Sequence, residues 1–207
     1  MKKLILSATA VLFSIGAFAQ TGFGLKAGVN LPKYHYSNEN NDNTSDTKMS
    51  TNFHITGYAD LPVSPNFAIQ PGVSLQGKGA KLYDGDDLQV TQNTMWIEVP
   101  VNAVAKFPTM GDGHFFLGAG PYAAFGISGK NKWETDNGSV ENDLPEFEFG
   151  DDGQKGFDAG INLLAGYQLG SGLNLGVGYG FGLVDLDGSE NIKQNNRVLS
   201  FSVGFAL

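Results

Sequence analysis

The sequence predicts an all-β protein, an eight-stranded antiparallel up-and-down transmembrane β-barrel with short turns at one end and long loops at the other. Three observations lead there. The last ten residues alternate, with Leu199, Phe201, Val203, Phe205 and Leu207 on one face and Val198, Ser200, Ser202, Gly204 and Ala206 on the other. A greasy outer face over a small or polar inner face is what a closing barrel strand needs. The same period of two continues unbroken through 157–169 and 173–183, which is long for a soluble strand and suited to a tilted membrane strand. Finally, the connections sort by length, as they do between the two sides of an outer membrane.

Each element follows from this alternation. Strands are predicted at 23–31, 53–61, 67–77, 95–107, 115–127, 157–169, 173–183 and 198–207. In the seventh, Leu173, Leu175, Val177, Tyr179, Phe181 and Leu183 alternate with Asn174, Gly176, Gly178, Gly180 and Gly182. Short links fall at 62–66, 108–113 and 170–172, and long polar ones at 33–51, 78–92, 129–156 and 184–197. Both ends of the mature chain then lie on the periplasmic side. Pro71, Pro100 and Pro121 sit inside predicted strands, where each removes a ladder donor, so bulges are expected near them. A soluble sandwich or lipocalin-like barrel is the alternative architecture, with the apolar faces turned inward.

Ahead of the first strand, Lys2 and Lys3 precede an apolar stretch over 4–18, and Ala17, Phe18 and Ala19 make a small-x-small pattern. Residues 1–19 are therefore expected to be a signal peptide, leaving 20–207 as one barrel domain in the bacterial outer membrane. The absence of cysteine removes disulfides and thiolate metal sites. Formal net charge is -8, and loss of the two leader lysines takes it lower still, which argues against nucleic acid as a partner.

The stretch WIEVPV from Trp96 to Val101, GAGPYAAFGISGK from Gly118 to Lys130 and the tail NRVLSFSVGFAL from Asn196 resemble the PorT-like outer-membrane β-barrel family. The resemblance implies an OmpA-like eight-stranded barrel in the outer membrane. Its motifs mark the barrel and not a chemical activity. The family's link to protein secretion and gliding is not carried over, because no residue here can be matched to it.

With odd positions facing lipid, the lumen receives Lys26, Asn30, His54, Tyr58, Asp60, Gln70, Gln76, Trp96, Glu98, Asn102, Lys106, Phe116, Tyr122, Asp158 and Asn162. Eight strands leave room only for side chains, so Tyr58, Trp96, Phe116 and Tyr122 are expected to fill space left by the β-strand glycines, and no continuous open pore is expected. Lys26, Glu98, Asp60, Lys106 and Asp158 form the candidate lumen charge network, since an unpaired buried charge costs several kcal/mol. A gated ion path through them is the sharper alternative to structural pairing.

Catalysis has thin support. His35 and His114 fall on opposite sides of the membrane, and His54 is separated across the barrel from Ser128 and Asp158, whereas proton transfer to a nucleophile needs contact. The carboxylates Glu134, Asp136, Glu141, Asp143, Glu146, Glu148, Asp151 and Asp152, with DLDGSE from Asp185, do not complete a calcium loop. They are expected to be solvated, with divalent bridging to lipopolysaccharide as the alternative. GVGYGFG from Gly176 lacks a phosphate-loop lysine and a following helix, so it is read as strand. No cofactor is expected. The expected role is a non-enzymatic structural or surface-interaction barrel whose partners are outer-membrane lipids and lipopolysaccharide. An accessory part of a secretion or transport apparatus, contacting envelope proteins, and a rim-located lipid enzyme using His54 are the alternatives.

Overall fold

The computed structural model describes residues 21–38, 43–85, 88–135, 138–140, 147, 149–150, 154–187 and 192–207. The expected signal peptide lies outside them. Among the described residues ten strands make a single sheet: β1 (Gly22–Asn38), β2 (Thr44–Asp46), β3 (Asn52–Ser64), β4 (Phe67–Asp84), β5 (Leu88–Pro108), β6 (His114–Thr135), β7 (Gly138–Val140), β8 (Phe157–Gln168), β9 (Leu173–Gly182) and β10 (Ile192–Ala206). Eight of them close into a ring, because β10 pairs antiparallel with β1 as well as with β9. The short strands β2 and β7 are flaps paired to the outer parts of β1 and β6.

Closure fixes the stagger. Followed in register from Gly22, the ladder runs to Asp60, across a gap in the pairing to Gln70, on to Asn102, across a second gap to Gly120, then to Asn162, Gly180 and Val198, and returns to β1 at Pro32, ten residues above its start. Such an offset requires strands tilted by about 40° to the barrel axis. Large exposed apolar side chains along the wall, such as Leu25, Val29, Ile55, Val99, Leu117, Leu175, Phe201 and Val203, are odd-numbered, with the even-numbered Leu82 and Ile192 exposed only in the outer extensions of β4 and β10, whereas Trp96, Val104, Tyr122, Ala124 and Val198 are buried and even-numbered. Rings gather toward both rims, as in Phe115 against Tyr167 (centroids 4.8 Å apart) and Phe125 against Phe157 (5.4 Å), the placement of interfacial aromatic girdles.

The strands differ from their expected extents at the outer end. β4 continues over 78–84 and β5 begins at 88, and the two stay paired from Lys78 opposite Thr94 to Asp84 opposite Gln89, while β1 runs on to Asn38. Hydrophobic alternation stops where lipid stops, but β-branched residues such as Val90, Thr91 and Thr94 keep the backbone paired beyond it. Part of each expected long connection is therefore paired ladder.

The prolines also resolve differently. Register shifts occur between Pro62 and Ser64, Lys81 and Tyr83, and Met95 and Trp96. At Pro71, Pro100 and Pro121 the register is unchanged, and the pairing lapses for two residues before resuming in phase. A missing donor is thus met by a local gap, without the slip that would reverse the lipid and lumen faces.

Glycine permits the close approaches. Gly79 has φ of 129° and Gly172, in the turn before β9, has φ of 92°, a region L side chains avoid. At the closing seam, a Cβ on Gly28 would run into the carbonyl of Phe201. Gly28→Val is expected to cost at least about 1–3 kcal/mol and to reduce sharply the fraction of chains that show heat-modifiable gel mobility in detergent. Gly57→Ala, where a Cβ meets nothing within 4 Å, should leave that fraction unchanged.

Candidate functional site

The interior is built from even-numbered side chains of all eight ring strands. At its centre Lys78 of β4 extends into the lumen, where Nζ lies 3.1 Å from Glu98 Oε2 of β5 and 3.0 Å from Asp158 Oδ2 of β8. All three side chains are almost fully buried. Tyr122 OH donates to Asp158 Oδ2 (3.1 Å), Asn196 Nδ2 donates to the same oxygen (2.8 Å) and Asn162 Nδ2 donates to Glu98 Oε1 (3.0 Å). The ammonium also sits over the Tyr122 ring at 4.5 Å and the Trp96 ring at 5.5 Å, so aromatic faces share in stabilising its charge.

A second pair lies lower. Lys106 Nζ bonds Asp60 Oδ2 at 2.5 Å, and Gln70 Nε2 donates to Asp60 Oδ1 at 2.8 Å. Of the five residues expected to form the lumen charge network, the structure joins Asp60 to Lys106 directly and links Glu98 to Asp158 through Lys78. Lys26 faces the same lumen but makes no salt bridge or hydrogen bond among the described residues. Lys78 is hidden in the sequence because 78–92 has the polar composition of a loop. Its even number, in phase with Gln76 and Ser74, was the available signal. Counting it, three lysines face three carboxylates in the lumen.

Above this layer the mouth is filled by apolar groups. Trp96, Tyr34, Ala80, Tyr122, Ala124 and Leu186 form a buried cluster with Tyr36 and Phe149 packed against it. Phe149 meets Trp96 edge-on at 5.0 Å and Phe147 at 5.0 Å, and it occupies the place a side chain at Gly126 would need. Gln154 Nε2 donates to Tyr34 OH at 3.2 Å. Lys155 N bonds Leu186 O at 2.9 Å, while Leu186 N bonds Gln194 O at 2.8 Å. These bonds tie Gln154 and Lys155, just ahead of β8, to β1 and to the β9–β10 connection. Of the expected inner aromatics, Phe116 reaches over Gly166 and Tyr58 over Gly24.

The histidines do not assemble a catalytic group. His54 Nδ1 is hydrogen-bonded to Asn30 Oδ1 at 2.8 Å inside the barrel, and Asp158 is engaged by Lys78. His35 lies outside the wall region, with Nδ1 2.7 Å from Asp46 Oδ1. Lys33 and His35 together hold the exposed Asp46 carboxyl below its ordinary pKa of 3.8, so β2 docks on β1 through a carboxylate that stays charged near neutral pH. Of the loop carboxylates, Glu134 pairs with Lys132 at 2.6 Å and Asp185 with Lys155 at 3.3 Å. No cluster of metal-ligating side chains occurs among the described residues. Asp136, Glu141, Asp143, Glu146, Glu148, Asp151, Asp152 and Glu190 lie outside them.

A family model described as outer membrane protein beta-barrel domain matches residues 18–188. The chain belongs to this outer-membrane β-barrel family. Among solved structures the barrel is similar to Ail, the attachment invasion locus protein of Yersinia pestis, at 9% identity over 91% of this chain and 99% of that one, with TM-score 0.44. It is also similar to Neisserial surface protein A, at 12% identity over 90% and 98% of the two chains, TM-score 0.44. OprG from Pseudomonas aeruginosa is a third, at 12% identity over 90% and 95%, TM-score 0.42. No curated protein matches. The barrel is thus an outer-membrane component of a bacterium.

Removing the central cation of this barrel leaves Glu98 and Asp158 facing each other in a desolvated lumen. Lys78→Met is expected to destabilise it by about 3–5 kcal/mol, measured by urea unfolding in lipid vesicles through tryptophan fluorescence. Adding Glu98→Gln and Asp158→Asn to the same chain should restore most of the loss.

Proposed function

We propose that this protein is a non-enzymatic outer-membrane barrel with a structural or surface-interaction role, and that its lumen is not a conduit. The carrying observation is the Lys78, Glu98 and Asp158 cluster beneath the Trp96, Phe149 and Leu186 layer, which occupies the cross-section with side chains already committed to one another. An ion crossing here has to break two buried ion pairs, each strengthened by the low local dielectric. A nucleophile with a base in contact is not assembled by His54, Ser128 and Asp158, which supports a role other than catalysis.

In this reading residues 1–19 are removed on export, the termini and short turns face the periplasm, and the extended β1, β4–β5 and β6 ladders stand outside with their acidic connections. Outer-membrane lipids contact the odd-numbered face, and lipopolysaccharide is the partner that the protruding strands meet first. The motif resemblance supports placing the chain nearer the PorT-like members of the family. Planar-bilayer recordings test the closed lumen: the folded wild-type barrel should give no steady conductance above the bare membrane. Stable open channels from wild-type protein would contradict the proposal.

A further inference from the structure

On the outside of the barrel the closing seam changes character at a single rung. Toward the membrane centre the odd-numbered, lipid-facing positions of β1 and β10 are apolar, with Val29 opposite Phe201 and Leu31 opposite Leu199. At the next rung outward Lys33 stands opposite Arg197, followed by His35 opposite Asn195 and Ser37 opposite Lys193. Because both strands switch together, this rung marks the outer edge of the hydrocarbon along the seam, the depth at which a cation on the lipid face costs little. On the neighbouring strand β9, Phe181 pairs with Arg197 and Tyr179 with Leu199, and their rings lie 4.5 Å apart between centroids.

Arg197 is only half committed to the protein. Its Nη1 donates to Gly182 O at 2.6 Å and to Asn196 O at 2.9 Å, and the guanidinium lies over the Phe181 ring at 5.5 Å. Among the described residues no carboxylate pairs with it, and Nε and Nη2 keep their hydrogens for another acceptor. Lys33 is held from the other side, by Asp46 Oδ2 at 2.5 Å, and the same carboxylate takes His35 Nδ1 at 2.7 Å. An ammonium has three donors, so one ion pair does not exhaust it. Side chains directly opposite on paired strands start about 5 Å apart, and like charges so placed repel unless an anion lies between them.

We propose that this rung docks a phosphorylated lipid of the outer leaflet, its phosphate held between Arg197 and Lys33 and an acyl chain lying over Tyr179, Leu199 and Leu31. The guanidinium fork matches phosphate oxygens in pairs. Charge complementarity is local, since the chain as a whole carries a formal net charge of -8, yet these opposed positions on the lipid face are both cationic. The apolar rungs directly beneath select a lipid over a soluble anion, which would leave them unused. This inference rests on the outward orientation proposed above, which sets the rung at headgroup level in the outer leaflet.

Titration of bisphosphorylated lipid A into phosphatidylcholine nanodiscs holding the folded barrel, read by native mass spectrometry of the released protein, tests this. One retained lipid A per barrel is expected, with dephosphorylated lipid A retained no better than phosphatidylcholine and inorganic phosphate unable to displace the bound lipid. Arg197→Gln should weaken retention about tenfold, the worth of a charge-assisted hydrogen bond, and Lys33→Gln combined with Asp46→Asn, which removes the second cation without stranding its carboxylate, should weaken it as well. Lys132→Gln, on β6 away from the seam, should leave it unchanged, all in chains that keep heat-modifiable mobility. Equal retention of the two forms of lipid A, displacement by inorganic phosphate, full retention by Arg197→Gln, or equal loss in Lys132→Gln overturns the proposal. Thr44→Cys on the exposed β2 of this cysteine-free chain reports the orientation separately. Labelling in intact cells by a membrane-impermeant maleimide is expected. No labelling overturns the orientation and the lipid's access with it, whereas loss of lipid A selectivity with labelling intact overturns the site alone.

Discussion

Backbone hydrogen bonding in hydrocarbon is the constraint on which the rest of this structure depends. Every amide in the membrane must find its partner within the protein, and a sheet does so only if its first and last strands meet. The β1–β10 ladder, from Gly24 opposite Ala206 to Asn38 opposite Ile192, is that meeting. Once it exists, side chains can point only to lipid or to lumen, and a period of two is imposed on the whole sequence. Gly28 is small because the seam passes over it. The lapses at Pro71, Pro100 and Pro121 stay in phase, and the three register shifts lie elsewhere, at Pro62/Ser64, Lys81/Tyr83 and Met95/Trp96; an uncompensated one-residue slip in mid-wall would exchange the lipid and lumen faces.

The same closure determines the chemistry inside. Eight strands enclose a space narrow enough that charges in it cannot avoid one another, and the lumen answers with direct pairing. Lys78 takes two carboxylates, Lys106 takes one, and Lys26 completes the balance at a distance. Buried pairs of this kind contribute little net stability compared with apolar packing, but they are costly to break singly. They therefore specify which strands face which across the lumen, while the aromatic layer at the outer mouth excludes water above them. Toward the periplasmic end the glycines of β9 leave space unfilled, and there the pairing is incomplete.

The wall was legible in the sequence and the interior only partly so. Alternation in β8, β9 and β10 identifies their lipid faces because the contrast between hydrocarbon and lumen is strong. The outer extensions were not legible, since Lys78–Asp84 and Leu88–Thr94 carry polar residues on both faces and are held by backbone pairing, which leaves no hydrophobic signature. Losing that segment also hid Lys78, the residue that joins Glu98 to Asp158. The bulges were misplaced for a related reason: a proline in the sequence shows that a donor is missing, but whether the ladder slips or merely lapses depends on its neighbours. The packing of Phe149 and Leu186 over Trp96 is a contact between distant loops that no local pattern announces.

Closure of the ring is tested most directly by backbone hydrogen exchange in lipid bilayers, followed residue by residue. A sealed ladder predicts that the seam amides around Ala27, Val29, Phe201 and Val203 exchange as slowly as those in the middle of the β5–β6 pairing. Seam amides exchanging at the rate of loop residues, with β5 and β6 still protected, would show an open sheet and contradict the account.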